Sequence, residues 1–393
     1  MPETLPAAAW TRREDLAELV AALGEGNARY VGGAVRDTLL GCEVHDIDIA
    51  TPLEPVEVIA RLDAAGIRNV PTGLKHGTIT AIRDGDNIEI TTLRRDVATD
   101  GRHAEVAFSN DWQEDAARRD FTINALYADP ATLEVFDWFG GLEDLRDRRV
   151  RFIGDARQRI REDHLRILRY FRFEARFGSQ PADEEAESAC AELAPMLMGL
   201  SRERIGWELQ NLLALPDPAP TVARMAELGV LGTILPDAAA AGLARLIETE
   251  QRESVAADPI RRLASLLPPD PAIAERVAAK LRLSIAQKKR LMLAAEREGP
   301  ESEDTESDPR TAAYCVGRET AIDRLLLTGR STAPLHGWEP PVFPLKGGAI
   351  VARGVAAGPE VARILRAVEA RWLVEGFPGE DRVAELLDAA LVA

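Results

Sequence analysis

Cysteine is scarce. The 393 residues hold only Cys42, Cys190 and Cys315, each far from the others, which excludes a disulfide framework and a cysteine-built metal centre. No stretch approaches the roughly 20 apolar residues of a membrane-spanning helix. The opening Met-Pro-Glu-Thr also lacks the basic and then apolar pattern of a secretory signal. A cytoplasmic enzyme without membrane contact is therefore expected. An excess of positive charge is missing too, since 48 Lys and Arg stand against 65 Asp and Glu for a net charge of −17. A chain that grips a polyanion is expected to show basic surface. Composition alone speaks against nucleic acid unless the positive charge is gathered locally.

What is present is ordinary globular composition, 46% hydrophobic and 29% charged, in a chain long enough for two to four units. The first 150 residues mix strand-like runs with helical stretches. Arg29-Tyr30-Val31 leads into Gly32-Gly33, and Ala34 to Leu40 reads as a helix. His45 to Ala50 alternates as a half-buried strand, and Thr78 to Ile82 and Ile88 to Leu93 flank a turn at Asp84–Asn87. Glu105 to Phe108 and Leu133 to Trp138 add two more strand candidates. From about residue 155 the period becomes helical, with Ile160, Ile167, Leu168, Phe171 and Ala175 on one face. Prolines near 216–218 and 268–271 mark joints, and residues 298–310 read as an acidic linker.

Two local features point to chemistry. In the alternating strand, Asp46 and Asp48 project to one face while Ile47 and Ile49 point inward. Such carboxylates repel unless a cation lies between them, and a pair of Mg²⁺ ions held with substrate phosphates is the usual solution. Upstream, Gly32 and Gly33 at a strand-to-helix turn let backbone N–H groups approach a triphosphate, and Arg36 is placed to grip its oxygens. The bland reading, a tight turn followed by two solvated aspartates, explains either feature alone but not both in this order.

With these residues the chain resembles the DNA polymerase β-like nucleotidyltransferases, specifically the class II branch of bacterial poly(A) polymerases and CCA-adding enzymes. The resemblance is close over about residues 28–215. It implies an α+β fold, a small mixed β-sheet nucleotidyltransferase head with helices followed by an all-α neck, body and tail. The implied boundaries are 1–148 for the head, 149–215 for the neck, 216–300 for the body and 301–393 for a tail that binds tRNA. Asp46 and Asp48 would be the metal ligands, with Glu89 in Ile88-Glu89-Ile90 as the third catalytic carboxylate.

Further blocks fit the same family. Arg118-Arg119-Asp120-Phe121-Thr122-Ile123-Asn124-Ala125 looks like its RRDFTINA motif, which implies that Arg118, Arg119, Asp120 and Asn124 hold ribose and phosphates. Glu162-Asp163-His164-Leu165-Arg166, continued by Arg169 and Arg172, matches its base-reading EDxxR motif. On a helix, Asp163 and Arg166 would be neighbours. Cytosine and adenine both present an amino donor beside a ring-nitrogen acceptor, so a carboxylate and a guanidinium complement both. Guanine and uracil reverse that order. Arg166, Arg169, Arg172 and Arg176 form a stripe that, with other neck arginines, would make this region basic despite the overall charge. Ser201 would cap a last family-like helix whose Glu203 or Arg204 braces the neck.

The expected activity is template-independent addition of CCA to the tRNA 3′ end from CTP and ATP. Partial addition (CC or A alone) and poly(A) synthesis are the sister alternatives. Residues 94–105 resemble the flexible loop of full CCA enzymes, and the acidic, apolar C-terminal part is unlike the basic tails of poly(A) polymerases. An inactive RNA-binding module is disfavoured because both aspartates are present. A phosphohydrolase built on His45-Asp46 is disfavoured because only five scattered histidines exist. No protein partner is evident.

Overall fold

Short strands carry the N-terminal half of the protein. In the computed structural model, which describes residues 3–83, 85–99, 104–297 and 308–392, they are β1 (Arg29–Val31), β2 (Asp48–Thr51), β3 (Asn69–Gly73), β4 (Thr78–Arg83) and β5 (Asp86–Thr92). They continue with β6 (Arg94–Thr99), β7 (Ala104–Phe108), β8 (Tyr127–Ala128) and β9 (Val135–Phe136). Seven join one sheet in the order β3-β4-β5-β2-β1-β8-β9, while β6 and β7 form a separate two-stranded ribbon. β2 and β5 run parallel, and β1 pairs antiparallel with both β2 and β8. The expected mixed sheet is present. The strand expected from His45 starts only at Asp48, although burial already alternates from exposed Asp46 through buried Ile47. The flanks of the expected loop at 94–105 are the ribbon strands, and residues 100–103 lie outside the described residues. Asp84 of the expected turn does too.

Helices α1 (Glu14–Leu23), α2 (Gly33–Leu39) and α3 (Pro55–Ala64) belong to the sheet region. Leu16, Leu19 and Leu23 of α1 recur at helical spacing and are at most 1% exposed. Gly32 joins β1 to α2 at φ +68 and ψ −119, a conformation that a side chain would strain. Next come α4 (Trp112–Ala117), α5 (Gly141–Arg146), α6 (Ala156–Glu162) and α7 (Arg166–Phe177). The helix period expected to run unbroken from Ile160 is interrupted, because Asp163 has extended backbone between α6 and α7. α7 buries Ile167, Leu168, Tyr170 and Phe171, and Tyr170 and Phe173 close on Phe121 and Phe152 in one aromatic cluster. α8 (Glu184–Leu193), α9 (Arg202–Leu213), α10 (Ala219–Glu227) and α11 (Val230–Ile234) follow. Ser201 caps α9, accepting from the Arg204 N–H.

The chain divides into two compact units, Met1–Pro236 and Asp237–Ala393. The second is helical: α12 (Ala241–Arg252), α13 (Pro259–Leu266), α14 (Pro271–Lys280), α15 (Ile285–Ala295), α16 (Pro309–Val316), α17 (Arg318–Leu327), α18 (Gly347–Val351), α19 (Pro359–Val374) and α20 (Glu380–Val392). Three of them open alike, with Asp258, Asp270 or Asp308 capping the helix and proline next to it. Proline lacks the N–H that the first turn leaves unused, so these prolines begin helices as well as ending loops. Inside this unit Glu250 accepts from both Arg261 (2.8 Å) and Arg262 (2.9 Å), and Asp323 pairs with Arg290 at 2.6 Å. Trp372, 1% exposed, centres a separate apolar cluster of α18, α19 and α20. Residues 298–307 of the expected acidic linker lie outside the described residues. Among the described residues, no helix is long and apolar enough to cross a membrane.

One group in α7 sets a pH dependence. Glu174 is buried, and its Oε2 has no hydrogen-bond partner. Burial, and then Glu187 and Asp183, push its carboxyl up to about 7 from an ordinary 4.5. Gly178 makes the room, since a Cβ there would overlap this carboxylate. The folded chain therefore keeps a proton that the unfolded chain releases, and stability falls as pH rises from about 4.5 to about 7. Glu174→Gln is expected to stabilise the protein by roughly 1–3 kcal/mol at pH 8. Below pH 4.5 the effect should vanish, as denaturant unfolding at the two pH values would show.

Candidate functional site

The parallel register of β2 and β5 sets Asp48 directly across from Glu89, and Ile49 across from Ile90. The two isoleucines are fully buried, so alternation leaves the carboxylates on one face. That face forms one wall of a cleft of about 780 Å³. The other walls present Arg118, Arg119 and Asp120, then Asp163, Arg166 and Arg169. Residues more than 100 positions apart in the chain are thereby brought into one cavity within the first unit. Asp46 is exposed just ahead of β2. Gly32, Gly33, Arg36, Asn124 and Arg172 are not among the lining residues.

The carboxylates of this wall crowd negative charge. Burial, then Glu89, raise the Asp48 carboxyl to about 6 from 3.8; Arg119 pulls it down and Asp46 adds to the rise. Like charges are thus crowded at one place on hard oxygen donors. Among the described residues, no group of three or more Asp, Glu, His or Cys side chains encloses a single point. Two carboxylates, Asp48 and Glu89, with water and ligand oxygens completing the shell match what a small hard divalent cation takes. The set fits such an ion.

Opposite the carboxylates, the arginines are fixed from behind. Asp115 of α4 is 1% exposed. Its Oδ1 accepts from Arg118 Nε at 2.9 Å and from the Arg94 backbone N–H at 3.0 Å. Its Oδ2 accepts from Arg119 at 3.2 Å and from the Tyr127 hydroxyl at 2.5 Å, and that hydroxyl accepts from Arg119 Nε at 3.0 Å. Burial pushes the Asp115 carboxyl up, but Arg119 and Arg118 outweigh it and hold it at about 2. Two guanidiniums are thereby locked side by side, the arrangement that binds phosphate oxygens. Sequence reasoning passed over Asp115, although its place three and four residues before Arg118 and Arg119 was the available signal.

A second chain of contacts crosses from α2 to α9. Arg36 donates to Asn124 Oδ1 at 2.5 Å, and Asn124 donates to Asp120 at 2.9 Å. Asp120 accepts from Arg169 Nε at 2.8 Å. Burial raises its carboxyl, but Arg169 and Asn124 bring it to about 2. Glu208, 1% exposed, then takes Arg172 at 2.7 Å and lies 3.6 Å from Arg169. Arg36 is buried, bonded also to Asp37, with its guanidinium 4.3 Å from the Phe177 ring centre. It is not brought to the cleft as expected; it holds Asn124 from behind instead. Arg172 likewise serves Glu208, which sequence reasoning missed.

Asp163 and Arg166 both reach the cleft, but not as a helical ion pair. With Asp163 between α6 and α7, each has its own partner. Asp163 accepts from Arg204 at 2.7 Å. Arg166 donates to Glu162 at 2.7 Å and to the carbonyls of Arg159 and Arg118. The expected basic stripe is compensated in the same way: Arg149 meets Asp183, Arg151 meets Asp144, Arg157 meets Glu192, and Arg176 meets Asp37. The segment 146–176 is rich in arginine, yet its positive charge is largely matched residue by residue.

The chain is similar to known proteins over most of its length. Residues 28–151 match the family model of the poly A polymerase head domain, and residues 182–241 match that of a probable RNA and SrmB-binding site of polymerase A. A mitochondrial CCA tRNA nucleotidyltransferase 1 of Homo sapiens is 38% identical over 381 residues, covering 90% of this chain and 84% of the relative. A CCA-adding enzyme of Geobacillus thermodenitrificans is 41% identical over 217 residues, 55% of this chain and 52% of its own. Among solved structures, the Bacillus stearothermophilus CCA-adding enzyme in complex with CTP superposes with a TM-score of 0.73 at 26% identity, covering 96% of this chain and 98% of that one. A Thermotoga maritima CCA-adding enzyme complexed with tRNA shares the fold, with a TM-score of 0.72 at 21% identity over 96% of this chain and 95% of its own.

The crowded carboxylates generate a test. Divalent cation added at pH 7.5 should raise the melting temperature, and the increment should shrink by pH 5, where Asp48 holds its proton. Asp48→Asn should raise the melting temperature without added cation and abolish the cation-dependent increment. Both are read by thermal unfolding across a cation titration.

Proposed function

The chain belongs to the CCA tRNA nucleotidyltransferase family, and from that premise we propose that it adds CCA to the 3′ end of tRNA from CTP and ATP without a nucleic acid template. The observation that carries this is the single cleft in which Asp48 and Glu89 face the Asp163 and Arg166 side chains. Nucleotidyltransferases of this family use divalent metal ions, and in our reading the ion is Mg²⁺, held by Asp46 and Asp48 with Glu89 as the third carboxylate. These residues would hold two such ions, which would supply Lewis-acid chemistry at the RNA 3′-hydroxyl and at the pyrophosphate.

The chain's own residues do the positioning. Arg118 and Arg119, set by Asp115 and Tyr127, clamp the triphosphate in a fork that needs little reorganisation. Asp120 and Asn124 serve the ribose side, braced by Arg169 and Arg36. The Gly32-Gly33 turn brings backbone N–H groups to the start of α2. Asp163 accepts the amino hydrogen of cytosine or adenine, and Arg166 donates to the adjacent ring nitrogen. Arg204 and Glu162 fix the two groups in place. A base with the reversed donor and acceptor order would set its acceptor against the Asp163 carboxylate and its donor against the Arg166 guanidinium, so neither contact forms.

The same reading divides the chain into a head (1–148), a neck (149–215), a body (216–300) and a tail (301–393), the last engaging tRNA. It places the activity in the cytoplasm, which fractionation of the source cells checks.

The deciding experiment supplies Mg²⁺, CTP and ATP to tRNA transcripts ending before C, after C and after CC, and reads product lengths on a gel. Growth that stops at CCA is expected; long A tails or arrest at CC would move the chain to a sister activity, and no growth would overturn the reading. Asp163→Ala should admit UTP or GTP at least about tenfold better relative to CTP, measured as a ratio of kcat/KM values. Strict CTP and ATP use by that variant would remove the base-reading role.

A further inference from the structure

Trp207 lines the cavity and is 60% exposed, although an indole ring is usually well buried. The other large rings of this region lie inside, with Phe121, Phe152, Tyr170 and Phe171 at most 2% exposed. The periodicity of α9 explains why Trp207 is out. Ile205, Leu209 and Leu212 make the buried face, while Glu203, Arg204, Trp207 and the buried Glu208 line the cleft. Trp207 stands one helical turn beyond Arg204, whose guanidinium is tied to Asp163 at 2.7 Å. The indole therefore flanks the place where the edge of a base is to be read.

We propose that Trp207 is a stacking platform for the base of the incoming nucleoside triphosphate. This rests on the reading of Asp163 and Arg166 as the base-reading pair. Edge contacts fix which base enters but leave its two faces unsupported in a cleft this wide. An aromatic face supplies binding that does not depend on the base, because every base has a π-face. That suits a site which takes both a pyrimidine and a purine: the edge pair discriminates while the ring holds. The wall it shares with Asp163 assigns it to the incoming base and not to the end of the RNA.

Three proteins test this: the unmodified chain, Trp207→Phe and Trp207→Ala. Trp207→Ala should raise the KM for CTP and for ATP about tenfold and leave the KM for tRNA where it is. Trp207→Phe should restore most of the nucleotide affinity. CTP titrated without tRNA should quench the tryptophan fluorescence of the unmodified protein, and Trp207→Phe should lose that component. Unchanged nucleotide KM values in Trp207→Ala, a rise confined to the tRNA KM, or the same quench in Trp207→Phe would each overturn the platform. Should Trp207→Ala fail to fold, the fluorescence comparison with Trp207→Phe decides alone. Failure of the unmodified chain to extend tRNA would instead strike the proposed function, and the CTP titration would still decide where the base lies.

Discussion

A buried carboxylate beside two arginines is costly to build and hard to disturb. Asp115 shows the terms: taking its charge out of water is unfavourable, and only Arg118, Arg119, the Tyr127 hydroxyl and a backbone N–H together outweigh the cost. Once made, the arrangement leaves the two guanidiniums nowhere else to go. Removing one member of such a buried set costs about 3–5 kcal/mol, because the others are left charged and unsatisfied. Asp120 and Glu208 repeat the device toward the neck. Buried acids therefore frame the cleft, and each of them holds arginines in place.

Across from this frame the logic is inverted. Strand register sets Asp48 beside Glu89, among the described residues no arginine is bonded to either, and burial and then Glu89 raise the Asp48 carboxyl to about 6. One wall is electrostatically settled and the other is left under repulsion. An unsettled pair attracts a cation, and a settled set of arginines accepts an anion without rearranging. The nucleotide with its metal ions carries both signs, and the cleft presents the complement of each.

Much of this was legible in the sequence, for identifiable reasons. The Asp46-Ile47-Asp48 alternation and the Gly32-Gly33 turn are local patterns, and local patterns survive without knowledge of the fold. Glu89 was reached through resemblance, and the β2–β5 register puts it across from Asp48. What could not be read was pairing over distance. Arg36 looked free to meet phosphate, but Asn124, 88 positions on, occupies it. Asp163 and Arg166 looked like helical neighbours because nothing in a helical period announces that α6 stops at Glu162. The arginine stripe looked like a basic surface because its carboxylates lie in other segments, such as Glu208 and Asp37. A count of charges along the chain says where cations are, and only the fold says which are already spent.

The run from Arg36 through Asn124, Asp120 and Arg169 to Glu208 and Arg172 has a bearing on how this protein can change over generations. Groups in one bonded network do not vary independently, and their effects on stability depart from simple addition by about 0.5–3 kcal/mol. A lysine in place of Arg169 would keep the charge but lose the fork that serves Asp120 and Glu208 at once. Substitutions along this line are thus tolerated in matched sets rather than singly. The start of α2, the segment before β8, α7 and α9 are thereby joined through one bonded network.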